Sequence, residues 1–204
     1  MARELEALTP ELMRKHTVVG AQGGGCDSAA GQSRSLSFGH EDSDRQIEVV
    51  ADTRFQASSL VRPLTAYLMI AARQADARAA GQSPDTLSAT LAQPLEPLAD
   101  YPLTDANGDP ARVSAFQLLT MSAGLPPSRD GLLRPELEAP DAAEYLRERL
   151  RLIETPGERI AIAPEGYAYA GQQLAARPGA GSFEAQMQAT LAQRFGLTRG
   201  SVCV

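Results

Sequence analysis

A long helix with an apolar centre is the feature that most constrains how this chain folds. Residues 62–80 are typical of one helix, because Pro63 lies in the first turn and Gly81 follows the last residue. The central turns are apolar on all sides, which indicates a helix buried among other elements. We therefore predict a cluster of helices packed around residues 62–80, with Leu118 and Leu119 beside it.

Short β-prone segments precede this helix. Residues 33–38 alternate in the manner of a strand, and residues 47–50 form a second β-prone stretch. Together they predict an N-terminal antiparallel hairpin or meander. Residues 1–15 have the charged, leucine-containing pattern of a helix. The glycine-rich residues 20–31 predict a loop, because no strand-to-helix context with Lys-Ser/Thr follows them.

The rest of the chain is mostly helical. Ser114 is placed to cap a short helix through Ser122, with Gly124 as its stop. A further helix is predicted over residues 140–152, and a last one over residues 182–195, which a glycine follows. Helices combined with a few N-terminal strands indicate an α+β or α/β fold.

The charge balance argues against two classes of partner. The formal net charge is −6, so the chain has neither the basic face that nucleic acid requires nor a polybasic patch for a membrane surface. No apolar run approaches the length of a membrane span, and the charged N-terminus lacks a signal-peptide core. These observations predict a cytoplasmic protein with no nucleic-acid or membrane partner.

Few residues are suited to metal or cofactor chemistry. Cys26 and Cys203 stand near opposite ends of the chain without a motif, which is typical of free thiols. His16 and His40 are the only histidines, and the acidic residues show no metal-ligand spacing. We expect no metal, flavin or nucleotide cofactor. Lys15 is the only lysine, which leaves few candidates for a catalytic base.

Three segments, in this order, carry a family resemblance. Residues 52–66 read Asp-Thr-Arg-Phe-Gln-Ala-Ser-Ser-Leu-Val-Arg-Pro-Leu-Thr-Ala, residues 113–126 contain Leu-Leu-Thr-Met-Ser-Ala-Gly-Leu-Pro, and residues 156–197 open with Pro-Gly. They resemble the Ser-x-x-Lys-Pro, Leu-Leu-x-His-Thr-Ser-Gly-Leu-Pro and Pro-Gly-x-x-Phe-x-Tyr-Ser-Asn/Gly segments of serine β-lactamases and penicillin-binding-protein-like hydrolases, in the branch of class C enzymes and related esterases. The resemblance implies a β-lactamase/transpeptidase-like fold.

The same resemblance implies that Ser59 is the nucleophile and that Arg62 occupies the position of the family's lysine. A serine hydroxyl needs a base within hydrogen-bond reach, and a lysine three residues further on lies about one helical turn away. Arginine is effectively always protonated, so it cannot accept the serine proton. The chain therefore keeps the nucleophile position and lacks the usual base.

In this branch a tyrosine faces the serine. Which residue of this chain takes its place depends on the register chosen. When residues 165–167 are matched to the family, Ile162 replaces that tyrosine. A second register places Tyr169 there and preserves the chemistry, but it needs an insertion before the motif and a comparable shortening after it. We favour the first register, in which Tyr169 is a packing residue, and keep Tyr169 as the candidate for an alternative base.

The resemblance also implies further structure at the C-terminus. In the family, the last sheet strands and a final helix come after the point that corresponds to Val204, and one strand carries a Lys-Thr-Gly-like or His-x-Gly motif. We interpret residues 1–204 as a single β-lactamase-like domain, incomplete at the C-terminus. Its N-terminal strands would have open edges, through which a protein partner or a second copy could pair.

Three hypotheses for function remain open. The first is a β-lactamase-related serine hydrolase whose catalysis is impaired, as a pseudoenzyme or a truncated product; Arg62 and Ile162 favour it. The second is a working esterase or acyl transferase that uses Ser59 and an unconventional base such as Tyr169 on a small-molecule ester, amide or acyl substrate. The third is a non-catalytic interaction module.

Overall fold

The structure is a computed structural model that describes residues 2–44, 46–83, 87–128, 146 and 149–197. The chain divides into two compact units, Met1–Gln56 and Ala57–Val204. The elements are, in chain order, α1 (Ala2–His16), β1 (Gly20–Asp27), β2 (Gln32–Gly39), a 3₁₀ helix (Ser58–Val61), α2 (Arg62–Ala79), α3 (Leu87–Ala92), α4 (Ala115–Leu119), α5 (Glu165–Ala175) and α6 (Phe183–Phe195). Helices with an antiparallel sheet confirm the predicted α+β class.

The first unit consists of α1, as predicted, and a β-hairpin. β1 and β2 pair antiparallel, with Gly20 opposite Gly39. The prediction of a loop over residues 20–31 is wrong for residues 20–27, which form β1. A strand is held by backbone hydrogen bonds to its neighbour, and glycines can make them without any alternating side-chain pattern. Glycine is required at the close approach, because a Cβ on Gly20 would lie 2.2 Å from the carbonyl oxygen of His40.

Residues 47–50 do not form the second strand of this hairpin. Their contribution to the sheet is a single bridge between Glu48 and His40. The chain leaves the extended conformation at Gly39, which has a φ of 72°. The predicted strand over residues 33–38 is confirmed as part of β2, but its partner is the glycine-rich segment.

The second unit is built around α2, which confirms the predicted helix. It begins at Arg62, has Pro63 in its first turn and ends at Ala79. The fully buried residues of this helix are Thr65, Met69 and Ala77. The apolar sequence predicts a helix enclosed on all sides. The observed helix is instead half-buried. Among the described residues, the largest side chains with less than 2% exposure are those of Leu118 on α4, Leu174 on α5, Met187 on α6, and Leu150.

Ser114 caps α4, as predicted. Its Oγ accepts the N–H of Gln117 at 3.1 Å, and Oε1 of Gln117 accepts the N–H of Ser114 at 2.8 Å, so the pair forms a capping box. The helix ends at Leu119, earlier than the predicted Ser122. It stops there because Met121 adopts a left-handed φ of 55°, and the N–H of Ser122 turns back to the carbonyl of Gln117.

The last described helix, α6, also follows its sequence signals. Ser182 caps its first turn, and Gly196 ends it in the left-handed region with a φ of 67°. The helix predicted over residues 140–152 falls mostly outside the described residues, and so does Cys203. Within the described ranges, no helix has both the length and the apolar character needed to cross a membrane.

An ion pair ties α2 to the segment that follows α5. Nη1 and Nη2 of Arg177 lie 2.6 and 2.7 Å from the two carboxylate oxygens of Asp76. The hydrogen bonds from Arg177 hold the pKa of Asp76 below its ordinary value of 3.8. Because the unfolded chain then binds this proton more readily, the pair stabilises the fold above about pH 4, and its contribution is lost as the pH falls through the lowered pKa.

We expect Asp76→Asn to reduce the free energy of unfolding at neutral pH by no more than about 1 kcal/mol, because both side chains are partly exposed and screened by solvent. Urea unfolding at pH 7 and near pH 3 measures the effect, and the deficit should shrink at about pH 3. Asp109→Asn is the control, since Asp109 has no arginine partner among the described residues. An equal deficit at both pH values would contradict the assignment.

Candidate active site

Ser59 lies in the 3₁₀ turn that leads directly into α2. Its carbonyl oxygen accepts the N–H of Arg62, which places the two residues on successive turns. The preceding Ser58 has a left-handed φ of 46°, an uncommon and strained conformation for a residue with a side chain. Ser59 is exposed. Its hydroxyl makes no hydrogen bond to any residue in the described part of the chain.

The side chain of Arg62 lies against an aromatic ring. Its Cζ is 5.9 Å from the centroid of Tyr167 on α5, which is a cation–π distance. The Tyr167 hydroxyl donates to the carbonyl oxygen of Leu119 at 2.8 Å, which fixes the ring against the end of α4. Among the described residues, Arg62 pairs with no carboxylate. A permanent positive charge therefore stands one turn from Ser59.

The second and third motifs lie side by side. The N–H of Gly157 donates to the carbonyl of Ser122 at 2.7 Å, and the N–H of Ala161 donates to the carbonyl of Met121 at 2.9 Å. The hydroxyls of Thr120 and Ser122 are 2.9 Å apart. Met121 stands where the resembling family has histidine. The fold thus joins two segments that are far apart in sequence.

Ile162 presents an alkyl side chain at the position that the favoured register assigns to tyrosine. The side chain is largely exposed, at 67%. Its backbone is fixed, because the N–H of Ser128 donates to its carbonyl at 2.9 Å. Ile160, two residues earlier, is also exposed. Neither side chain has an atom that can accept or donate a proton.

Tyr169, the candidate for an alternative base, is a core residue of α5. It is 2% exposed, and its hydroxyl accepts a hydrogen bond from Nε2 of Gln173 at 3.2 Å. Residues two apart on a helix point about 200° away from each other. Since Tyr167 faces Arg62, the ring of Tyr169 is directed elsewhere. The backbone places Ser59 and Arg62 one turn apart, and among the described residues no hydrogen bond joins the Tyr169 hydroxyl to either of them.

Tyr167 is the candidate site residue that the sequence did not predict. In the sequence it only helps to set the register of the third motif. Its contact with Arg62 depends on the packing of α5 against α2, which no local pattern reveals. The one available signal was its place in the favoured register, early in the helix after the Pro-Gly motif.

The described residues contain no group of three or more histidine, cysteine, aspartate or glutamate side chains that could hold a metal ion. Both histidines, His16 and His40, belong to the first unit. Cys26 is a free and exposed thiol on β1.

Ser59 lies on the turn before α2, and Arg62 at the start of α2 contacts Tyr167, which is hydrogen-bonded to the end of α4. This order of elements is that of the β-lactamase/transpeptidase-like fold. The chain belongs to the Beta-lactamase family, whose model matches residues 5–202. No match was found among curated protein sequences.

Solved structures share this fold at low sequence identity. The structure of SurE with D-Leu is 22% identical, with a TM-score of 0.60, and the match covers 95% of this chain and 40% of that one. A class C β-lactamase is 18% identical, with a TM-score of 0.58 and coverage of 96% and 48%. EstCE1, a hydrolase with promiscuous acyltransferase activity, is 16% identical, with a TM-score of 0.59 and coverage of 96% and 51%. This chain therefore spans about half the length of these proteins or less.

Proposed function

We propose that this protein is a catalytically impaired member of its family, with a serine site that has lost its general base. The observation that carries the proposal is the arginine at position 62. Its guanidinium lies over Tyr167, one turn from a serine whose hydroxyl has no hydrogen-bond partner among the described residues.

The chemistry explains why this arrangement disfavours turnover. A serine hydroxyl becomes a useful nucleophile when a neighbouring group removes its proton. The guanidinium of Arg62 stays protonated at any physiological pH, so it can stabilise negative charge but cannot accept the proton. Ile162 offers no substitute, because its side chain is a hydrocarbon.

The location of Tyr169 supports the same conclusion. Its hydroxyl is buried inside the second unit and hydrogen-bonded by Gln173. The Ser59 hydroxyl is at the surface. A base must come within about 3 Å of the proton that it removes, and a buried hydroxyl already bound by Gln173 is poorly placed to serve an exposed serine.

An active hydrolase or acyl transferase is the second candidate. The exposure of Ser59 favours it, since a substrate can reach the hydroxyl. EstCE1, which shares the fold, is a hydrolase with promiscuous acyltransferase activity. The substrate would then be a small ester, amide or acyl compound, and the base would be a group other than Arg62.

The experiment that separates these candidates compares wild type, Ser59→Ala and the neighbouring Ser58→Ala. Hydrolysis of p-nitrophenyl butyrate and of a chromogenic cephalosporin gives turnover, and a fluorophosphonate probe reports the nucleophilicity of the serine. We expect all three proteins to hydrolyse both substrates near the rate without protein, and to label slowly. Turnover or fast labelling that Ser59→Ala removes and Ser58→Ala keeps would establish an active hydrolase instead.

A further inference from the structure

We propose that Tyr167 is a positioning residue that fixes the cationic side chain at position 62 one turn from Ser59. This inference rests on the proposed function, which takes residue 62 as part of the serine site. It starts from two contacts, the guanidinium 5.9 Å from the ring centroid and the Tyr167 hydroxyl 2.8 Å from the Leu119 carbonyl.

The first contact acts on charge. The face of an aromatic ring carries negative electrostatic potential, so it attracts a cation and stabilises a neutral amine only weakly. For arginine, whose charge is permanent, the ring determines where the cation rests. For a lysine at the same position, the ring would also determine how readily the amine loses its proton, and therefore how well it serves as a base.

The second contact acts on geometry. Leu119 is the last residue of α4, a helix that packs against α5. The hydrogen bond from Tyr167 to its carbonyl keeps the ring from rotating away from α2. Tyr167 thereby links the second motif to position 62 through one side chain, which is the property expected of a positioning residue.

Other charged groups lie on α2 or against it. α2 itself carries Arg73, Asp76 and Arg78, and Arg177 pairs with Asp76. α3 has none, α5 carries the buried Glu165, and α6 carries Glu184 in its first turn and Arg194 in its last. In the described part of the chain, none of these forms an ion pair with Arg62. The ring of Tyr167 is therefore the group that contacts that guanidinium electrostatically in the described part of the chain.

The scarcity of lysine makes a direct test possible. Lys15 is the only lysine, so Arg62→Lys gives a protein with two lysine amines. Their pKa values can be read separately by NMR titration of protein labelled at lysine Cε. The comparison uses Arg62→Lys alone, Arg62→Lys with Tyr167→Leu, and Arg62→Lys with Tyr167→Phe, while Lys15 serves as the internal control.

Leucine removes the ring, whereas phenylalanine keeps the ring and removes only the hydroxyl. We expect Tyr167→Leu to lower the pKa of the introduced amine by about half a unit to one unit. Tyr167→Phe should change the pKa of the introduced amine much less than Tyr167→Leu does, and the pKa of Lys15 should stay the same in all variants. An unchanged pKa at position 62 in the leucine variant, or equal shifts at both lysines, would overturn the proposal.

Wild-type protein supplies a readout that does not depend on any variant folding. Nuclear Overhauser contacts between the Tyr167 ring protons and the δ-methylene protons of Arg62 are expected, and their absence would also overturn the proposal. Neither measurement uses hydrolysis. Turnover by the wild type would contradict the proposed function while leaving these results to decide the role of Tyr167.

Discussion

Replacing Arg62 with lysine is expected to raise Ser59-dependent ester hydrolysis about a hundredfold over wild type. General-base assistance contributes a factor of roughly a hundred to ten thousand, and the lower end applies because Ile162 remains at the tyrosine position. The rate should increase with pH, since only a neutral or proton-sharing lysine can take the serine proton. Initial rates on p-nitrophenyl butyrate across a range of pH measure the effect.

Two control variants separate the effect of restoring a base from the effect of removing the positive charge. Arg62→Gln removes the positive charge without supplying a base, so it should stay near the wild-type rate. Arg62→Lys combined with Ser59→Ala should lose the gain completely. If Arg62→Gln gains as much as Arg62→Lys, then relief of the charge, rather than a restored base, explains the result. If neither variant gains, the loss of lysine is not the main defect of the site.

The same assay decides between the two registers of the third motif. Adding Ile162→Tyr to Arg62→Lys should raise the rate further, by about tenfold or more, if Ile162 occupies the family's tyrosine position. Tyr169→Phe in the same background should leave the rate unchanged, because it removes only a buried hydroxyl. A loss with Tyr169→Phe and no gain with Ile162→Tyr would support the second register.

Helix boundaries were the part of the fold most accessible from sequence. α2 and α6 were predicted almost to the residue, because Pro63 and Ser182 open them and glycines close them through local backbone chemistry. α4 ended early for a reason that the sequence hides. Met121 adopts a left-handed conformation, which glycine adopts far more readily than methionine, and the chain reverses there.

β1 could not be predicted from side-chain patterns. Half of its residues are glycine, so it lacks the apolar alternation that reveals a strand, and it becomes a strand only through pairing with the backbone of β2. Burial of α2 was overestimated for a related reason. An apolar sequence shows that a helix can be buried, whereas the neighbours that cover each side are set by the tertiary structure.

The candidate site also has one part that local sequence reveals and another part that depends on tertiary packing. The resemblance identifies Ser59 and Arg62 because they lie within one short motif. The contact of Arg62 with Tyr167 joins α2 to α5, and the hydrogen bond to Leu119 adds α4. Such contacts between distant segments follow from packing, so they become visible only in three dimensions.

Gly124 is expected to be a position where alanine destabilises the fold severely. The glycine has a φ of 80°, and a Cβ there would lie 2.2 Å from the backbone carbonyl oxygen of Glu154. Its own carbonyl accepts the N–H of Ile153 at 2.9 Å, so the two segments cannot separate without losing a hydrogen bond. The sequence suggested a helix stop, but α4 ends at Leu119. The glycine is needed for the close approach of the two backbones.

We therefore expect Gly124→Ala to lower the free energy of unfolding by about 3–5 kcal/mol, among the largest effects of single substitutions. Left-handed strain accounts for roughly 1–2 kcal/mol, and displacement of the Glu154 backbone accounts for the rest. Gly108→Ala isolates the strain, because Gly108 has a φ of 92° and no atom within 4 Å of its would-be Cβ. Urea unfolding of both variants measures the difference. Equal losses would mean that strain alone acts at Gly124, and that the Glu154 segment yields without cost.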